Sequence, residues 1–361
     1  MKKTLAIVAL ITATLPAWAQ QTKYSISGIS SFNGKKVFVV DKVSDKNIDS
    51  TVVANGKFAI EGTAEKDAFL ELTIENYEWK TPFFNDGTPI IINVNDTTLK
   101  GSPMNERLTK YDKEQSAMMQ AFENKVSKMS QEEQRAHIEE LQEELNKALD
   151  AQIAFANNIF QTERETLIPL AFAELYFFDN GISTYDELVK GQAAFTKHPY
   201  LKKAKEEVRQ MLGLTEEKLA FIGQQFTDLE MEDANGKKHK LSEFTGNGKW
   251  VLVDFWASWC GPCREEMPNV LAAYEKYHAK GFDVVGVSFD NKKDAWVSSI
   301  KQLKLPWSQL SELKGWKNTA APAYKIDAIP DNILIDPQGK IIDRALRGKS
   351  LQKRLQAIFG E

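Results

Sequence analysis

Along the first third of the chain, runs of β-branched and aromatic residues are short and regularly interrupted. They fall at 24–29, 36–40, 57–60, 68–74 and 90–94, with Asn33-Gly34, Asn55-Gly56 and Asp86-Gly87 between them. Such runs suit a pleated surface, and Asn-Gly or Asp-Gly pairs tolerate the positive φ of tight hairpin turns. The spacing predicts a small antiparallel β-sandwich or barrel over residues 20–101. This stretch contains no Cys, no His and no carboxylates clustered at a chemically useful spacing. A docking or spacer role is therefore expected of it.

Gly101-Ser102-Pro103 breaks the pattern, and helical spacing replaces it up to about residue 220. Ser130-x-x-Glu133 and Thr184-x-x-Glu187 read as capping boxes, in which a hydroxyl and a carboxyl satisfy the first N–H groups of a helix. Gly213 suits the end of one helix, and Thr215 the start of the next. Residues 132–149 carry acids and bases spaced to support one another on a solvated helix face. From about residue 221 strands and helices alternate. A hairpin is expected at 226–231 and 238–241 around Asn235-Gly236, then a strand at 250–256 whose uninterrupted apolar run suits burial on both faces. A helix at 262–279, a strand at 282–289 and a helix at 294–303 follow. A strand pair at 332–335 and 341–345 turns on Pro337-Gln338-Gly339, before a last helix at 350–359. The expected architecture is an α/β C-terminal domain over 221–361, preceded by the β-sandwich and a helical segment over 102–220. At 361 residues the chain exceeds one compact core of ordinary size.

The N-terminus reads separately. Lys2 and Lys3 precede an apolar run over 5–15 and then Ala17-Trp18-Ala19, the layout of a secretory signal peptide. Cleavage is expected after about Ala19, giving a periplasmic or otherwise exported protein. The run falls short of the roughly 20 residues that a membrane span needs. No Cys follows it, so no lipid anchor is expected.

A net charge of −4 without a long basic run gives no footprint for nucleic acid or an anionic membrane. The only two cysteines lie together in Cys260-Gly261-Pro262-Cys263. That spacing also serves zinc, iron–sulfur clusters and haem attachment. Zinc or iron–sulfur needs about four ligands, and no third cysteine exists. His137 and His198 are isolated, and haem attachment would need His where Arg264 stands. No metal or cofactor is expected, and redox use of the pair is. Because the pair follows a buried strand and opens a helix, unpaired N–H groups and the helix dipole favour a thiolate at Cys260. Cys260 is the expected nucleophile and Cys263, one turn further in, the sulfur that closes the intramolecular disulfide. Pro262 sits in the first helical turn, where its missing N–H costs nothing.

The run from Val251 to Cys263, V-L-V-D-F-W-A-S-W-C-G-P-C, resembles the active-site strand and motif of thioredoxins, and the resemblance covers about the last 140 residues. It implies that Asp254 is the buried acid that exchanges a proton with Cys263. It also implies that Pro330, after Ile329, is the cis-proline beside the disulfide, and that Pro268 kinks the active-site helix. Trp259, Gly261, Pro262, Ile329 and Pro330 would then form the surface on which a substrate chain lies. The leading hairpin, an extra helical stretch between Asn291 and Tyr324, the signal peptide and C-G-P-C-R-E-E-M-P together resemble the TlpA/ResA-like branch of exported thioredoxin-fold proteins. In that branch Glu266 matches a glutamate that tunes thiol ionisation. The β-rich half resembles a small domain of unknown function found before such modules.

The implied activity is thiol–disulfide oxidoreduction, reducing or isomerising disulfides of exported proteins, with a membrane electron donor of the DsbD or CcdA kind. Two alternatives stand beside it. A thiol peroxidase of the peroxiredoxin group would need Pro and Thr or Ser where Val253 and Ala257 stand. A binding protein with a subsidiary thioredoxin module would not need Cys260, Cys263, Asp254 and Pro330 intact.

Overall fold

The computed structural model describes residues 20–360, and the segment read as a signal peptide lies outside the described residues. The chain divides into two compact units. One holds residues 20–172 and Ala193–Tyr200, and the other holds Ala173–Gln192 and the chain from Leu201 onward. The helical stretch over 102–220 is thus shared between them.

In the first unit eight strands form two sheets. They are β1 (Gln21–Ile29), β2 (Lys36–Asp41), β3 (Lys46–Val52), β4 (Lys57–Glu65), β5 (Phe69–Ile74), β6 (Lys80–Phe84), β7 (Ile90–Asn93) and β8 (Thr98–Lys100). The sheet orders are β4-β1-β7-β8 and β3-β2-β5-β6. Neighbours are antiparallel except β1 and β7. Ile26, Ile60 and Ile92 from one sheet meet Val37, Val39, Leu70, Leu72 and Phe83 from the other in one core. Asn55 and Gly56 turn from β3 into β4 with φ of 52° and 75°, as the Asn-Gly pair requires. Sequence reading missed β3, β6 and β8. Their residues are largely polar or too few to form an apolar run, and pairing with neighbouring strands holds them in place.

The helix Pro103–Val126 packs against β6 and β8. Ser102 caps it, and the Asn105 side chain accepts from the Phe84 N–H at 2.8 Å and donates to the Phe84 carbonyl at 2.9 Å. The capping box at Ser130 and Glu133 forms. The one expected at Thr184 does not. Thr184 has helical φ and ψ, and its hydroxyl donates back to the Gly181 carbonyl at 2.7 Å. A 3₁₀ turn over Ile182–Thr184 already occupies the place where the cap would sit. In the second unit Gly213, at φ 64°, follows a helix, and Thr215 caps the next.

The rest of the second unit is built on one seven-stranded sheet, β10-β9-β13-β12-β11-β14-β15. Its strands are β9 (Glu230–Asp233), β10 (Lys238–Lys240), β11 (Trp250–Trp256), β12 (Phe282–Ser288), β13 (Ser308–Ser311), β14 (Asp331–Ile335) and β15 (Ile341–Arg344). β11 lies inside the sheet, parallel to β12 and antiparallel to β14, and only its first residue is not fully buried. The active-site helix Gly261–Tyr277, which contains Pro268, packs against β12 and against the C-terminal helix Gly348–Phe359. The stretch 291–324, expected to be helical, also contains β13. That strand reads S-Q-L-S, too polar to signal a buried strand. Two of its polar side chains find partners inside the sheet: Ser311 donates to the Ser288 carbonyl at 3.1 Å, and Gln309 Oε1 accepts from the Trp256 indole at 2.9 Å, while Gln309 Nε2 is buried without a partner. Gly286 makes room for that contact, because a Cβ there would lie 2.2 Å from Gln309 Oε1.

Candidate active site

β11 ends at Trp256, and a short turn brings the chain to Cys260, the N-cap of the active-site helix. Buried Asp290 holds this turn, taking hydrogen bonds from the Ser258 N–H, the Ser258 hydroxyl and the Ser288 hydroxyl. Sequence reading did not single out Asp290, because the turn lies in the motif but its partner lies beyond the next strand. Cys260 Sγ accepts from the Cys263 N–H at 3.2 Å. That donor is one of the groups left unpaired at a helix start, so negative charge on Cys260 meets both an N–H and the positive end of the helix dipole. The two sulfurs are bonded at 2.05 Å, with Cα atoms 5.3 Å apart. Cys260 keeps 5% of its surface exposed and Cys263 1%.

Asp254 projects from the buried stretch of β11 and is itself buried, and its Oδ2 has no hydrogen-bond partner. Burial pushes its carboxyl up to about 7, with repulsion from Glu266 and Asp331 adding to the effect and Arg347 opposing it. Asp331 is paired with Arg344, whose Nη2 lies 2.6 Å from it. Glu266, half-buried in the active-site helix, is also raised by burial. Hydrogen bonds from the Gly348 N–H at 2.7 Å and Asn269 Nδ2 at 3.1 Å, together with the charge of Arg347, oppose that rise.

The Ile329–Pro330 peptide bond is cis. The Ile329 carbonyl oxygen lies 3.7 Å from Cys260 Sγ. Gly261 and Pro262 are exposed at the helix start. Trp259 is 55% exposed and faces Trp316, 47% exposed, with ring centroids 6.3 Å apart. Trp316 in turn packs on Phe289 at 5.1 Å. Trp316 comes from the segment after β13, which sequence reading treated only as an extra stretch. A Trp beside Gly315 was its one available signal.

His198 lies outside this site, in the first unit. Its Nδ1 accepts from the Tyr200 N–H at 3.1 Å and its Nε2 faces the Asp67 carbonyl at 3.2 Å. Among the described residues no three His, Cys, Asp or Glu side chains gather as a metal site would require.

A reactive disulfide at a helix start, a buried acid in the strand behind it and a backbone carbonyl beside the outer sulfur define a thioredoxin-like thiol–disulfide oxidoreductase. Comparison with known proteins agrees. Residues 222–344 match the AhpC/TSA family, and residues 24–108 match a domain of unknown function, DUF4369. The thiol-disulfide oxidoreductase ResA of Bacillus thuringiensis subsp. konkukian is 30% identical over 142 residues, which cover 39% of this chain and 79% of that protein. The thioredoxin domain of a Bacteroides vulgatus thiol-disulfide oxidoreductase is 33% identical, with 38% of this chain and 97% of that one covered and a TM-score of 0.36. A putative thiol:disulfide interchange protein DsbE from Chlorobium tepidum is 30% identical, with 38% and 98% covered and a TM-score of 0.35. The chain belongs to the ResA family of thiol-disulfide oxidoreductases.

Proposed function

We propose that the protein reduces or isomerises disulfides in exported polypeptides by dithiol–disulfide exchange through Cys260 and Cys263. The observation that carries this reading is the setting of Cys260 Sγ, between the Cys263 N–H and the Ile329 carbonyl. The first group favours the thiolate, and the second offers a backbone edge to an extended substrate. In the reduced enzyme the Cys260 thiolate attacks one sulfur of a substrate disulfide, and the other leaves as a thiolate. Asp254 then accepts the proton of Cys263, whose thiolate attacks Cys260 Sγ and frees the second substrate thiolate. The enzyme dithiol is oxidised to the disulfide, and the substrate disulfide is reduced to two thiols.

The Gly-Pro pair between the cysteines supports the reducing direction. Recharging would then draw on a membrane electron donor of the DsbD or CcdA kind, and the signal-like N-terminus supports export. A Cys263→Ala variant should trap substrates as mixed disulfides at Cys260, recoverable by mass spectrometry. The reduction potential should fall near the roughly −270 mV of thioredoxin rather than the roughly −120 mV of DsbA. The absence of any trapped polypeptide would count against the reading, and a potential near the second value would reverse its direction.

A further inference from the structure

The loop beside the disulfide is gripped from two sides by cations that lie outside the matched segment 222–344. Lys218, buried, donates from Nζ to Asp327 at the loop's start. At its end Arg347, the residue before the C-terminal helix, donates from Nη2 to the Pro330 carbonyl. The residue after Arg347 is Gly348, whose N–H is held by Glu266 at 2.7 Å. One short segment therefore touches both the substrate-facing loop and the active-site helix. We propose that Arg347 is a positioning residue that joins the Ile329–Pro330 loop to the buried Asp254 and the half-buried Glu266, so that one side chain sets both the loop's place and the acid's charge. The inference rests on the exchange reading given above.

The charges facing Asp254 are Glu266 from the active-site helix, Asp331 from β14 and Arg347. Arg344 of β15 already answers Asp331 through a pairing with Nη2 at 2.6 Å. Arg347 is left as the cation that acts on both Asp254 and Glu266, favouring the ionised form of each. Its Nε is buried without a hydrogen-bond partner, so the head group is not fully used by bonds to the backbone. A fork that holds a carbonyl with one nitrogen and presents its delocalised charge to neighbouring carboxylates is work for Arg rather than Lys.

The test compares the wild-type full chain with Arg347→Gln and Arg347→Lys. For each, the pH midpoint of mixed-disulfide resolution is measured, together with kcat and KM for a peptide disulfide and for a small aromatic disulfide. Arg347→Gln should move the midpoint to higher pH by about one unit, because Asp254 loses the cation opposite it. Arg347→Lys should restore the midpoint but raise KM for the peptide several-fold, leaving the small disulfide unaffected. Unmoved midpoints in both variants, or equal shifts in both, would overturn the proposal. Should Arg347→Gln not fold, Arg347→Lys decides alone: a wild-type KM for the peptide would overturn it. Loss of turnover in the wild-type protein with both substrates would instead tell against the exchange reading itself.

Discussion

In the proposed exchange Asp254 would couple the protein's chemistry to its stability, and replacing it by Asn should make that coupling visible. An acid whose folded pKa lies above its unfolded value leaves the native state holding the extra proton, so stability falls as pH rises between the two values. From 3.8 unfolded to about 7 folded, at roughly 1.36 kcal/mol per unit, the full loss is about 4 kcal/mol. Between pH 5 and pH 8 more than half of it should be lost. Denaturant unfolding of the oxidised protein isolates this effect, since disulfide-bonded sulfurs do not titrate. Tryptophan fluorescence is the fitting probe, because six of the eight tryptophans lie in the unit that holds Asp254. The wild-type free energy minus that of Asp254→Asn should fall by about that amount across the window, which cancels groups titrating elsewhere. Superimposable pH profiles for the two proteins would refute the placement of a titrating acid at this position. The same variant should slow mixed-disulfide resolution near neutral pH while leaving formation of the mixed disulfide intact.

Other expectations are simpler. His198, held down to about 4 by burial, should make the first unit lose about 3 kcal/mol as pH falls from 6.5 towards 4, because the unfolded chain takes the proton first; His198→Gln should remove that slope in acid unfolding followed by circular dichroism. Gly286→Ala should cost about 1–3 kcal/mol in denaturant unfolding, because the new methyl displaces Gln309 from Trp256. Trp316→Ala should raise KM for peptide disulfides roughly tenfold, with little change for a small disulfide, if the exposed indole pair is where the substrate lies. Equal effects on both substrates would show that the change is structural.

The parts of the site that share one motif were legible before any coordinates. Strand β11, Cys260 at the helix start, Asp254 six residues earlier and Cys263 one turn later are all fixed relative to each other by local geometry. Apart from Ile329 and Pro330, which the family resemblance supplied, what escaped was whatever depends on a distant partner. Asp290 holds the active-site turn from beyond β12. Gln309 and Ser311 sit in a buried strand that reads as a polar run, and their partners Trp256 and Ser288 come from other strands. Thr184 failed as a cap because a tight turn before it had already claimed its hydroxyl. Arg347 meets the site through the start of the C-terminal helix, a relation no spacing rule expresses.

The clasp of Asn105 on Phe84 bears on where the β-rich unit can be cut. β6 is a terminal strand of its sheet, and an open strand edge is a template on which a second chain can add itself. Asn105 fills that template with a side-chain amide, mimicking one residue of a missing neighbour. A fragment ending at the Gly101-Ser102-Pro103 break would keep all eight strands and lose this guard, and should self-associate. The safe place to divide the chain lies beyond the first turns of the helix, after the sheet has been sealed.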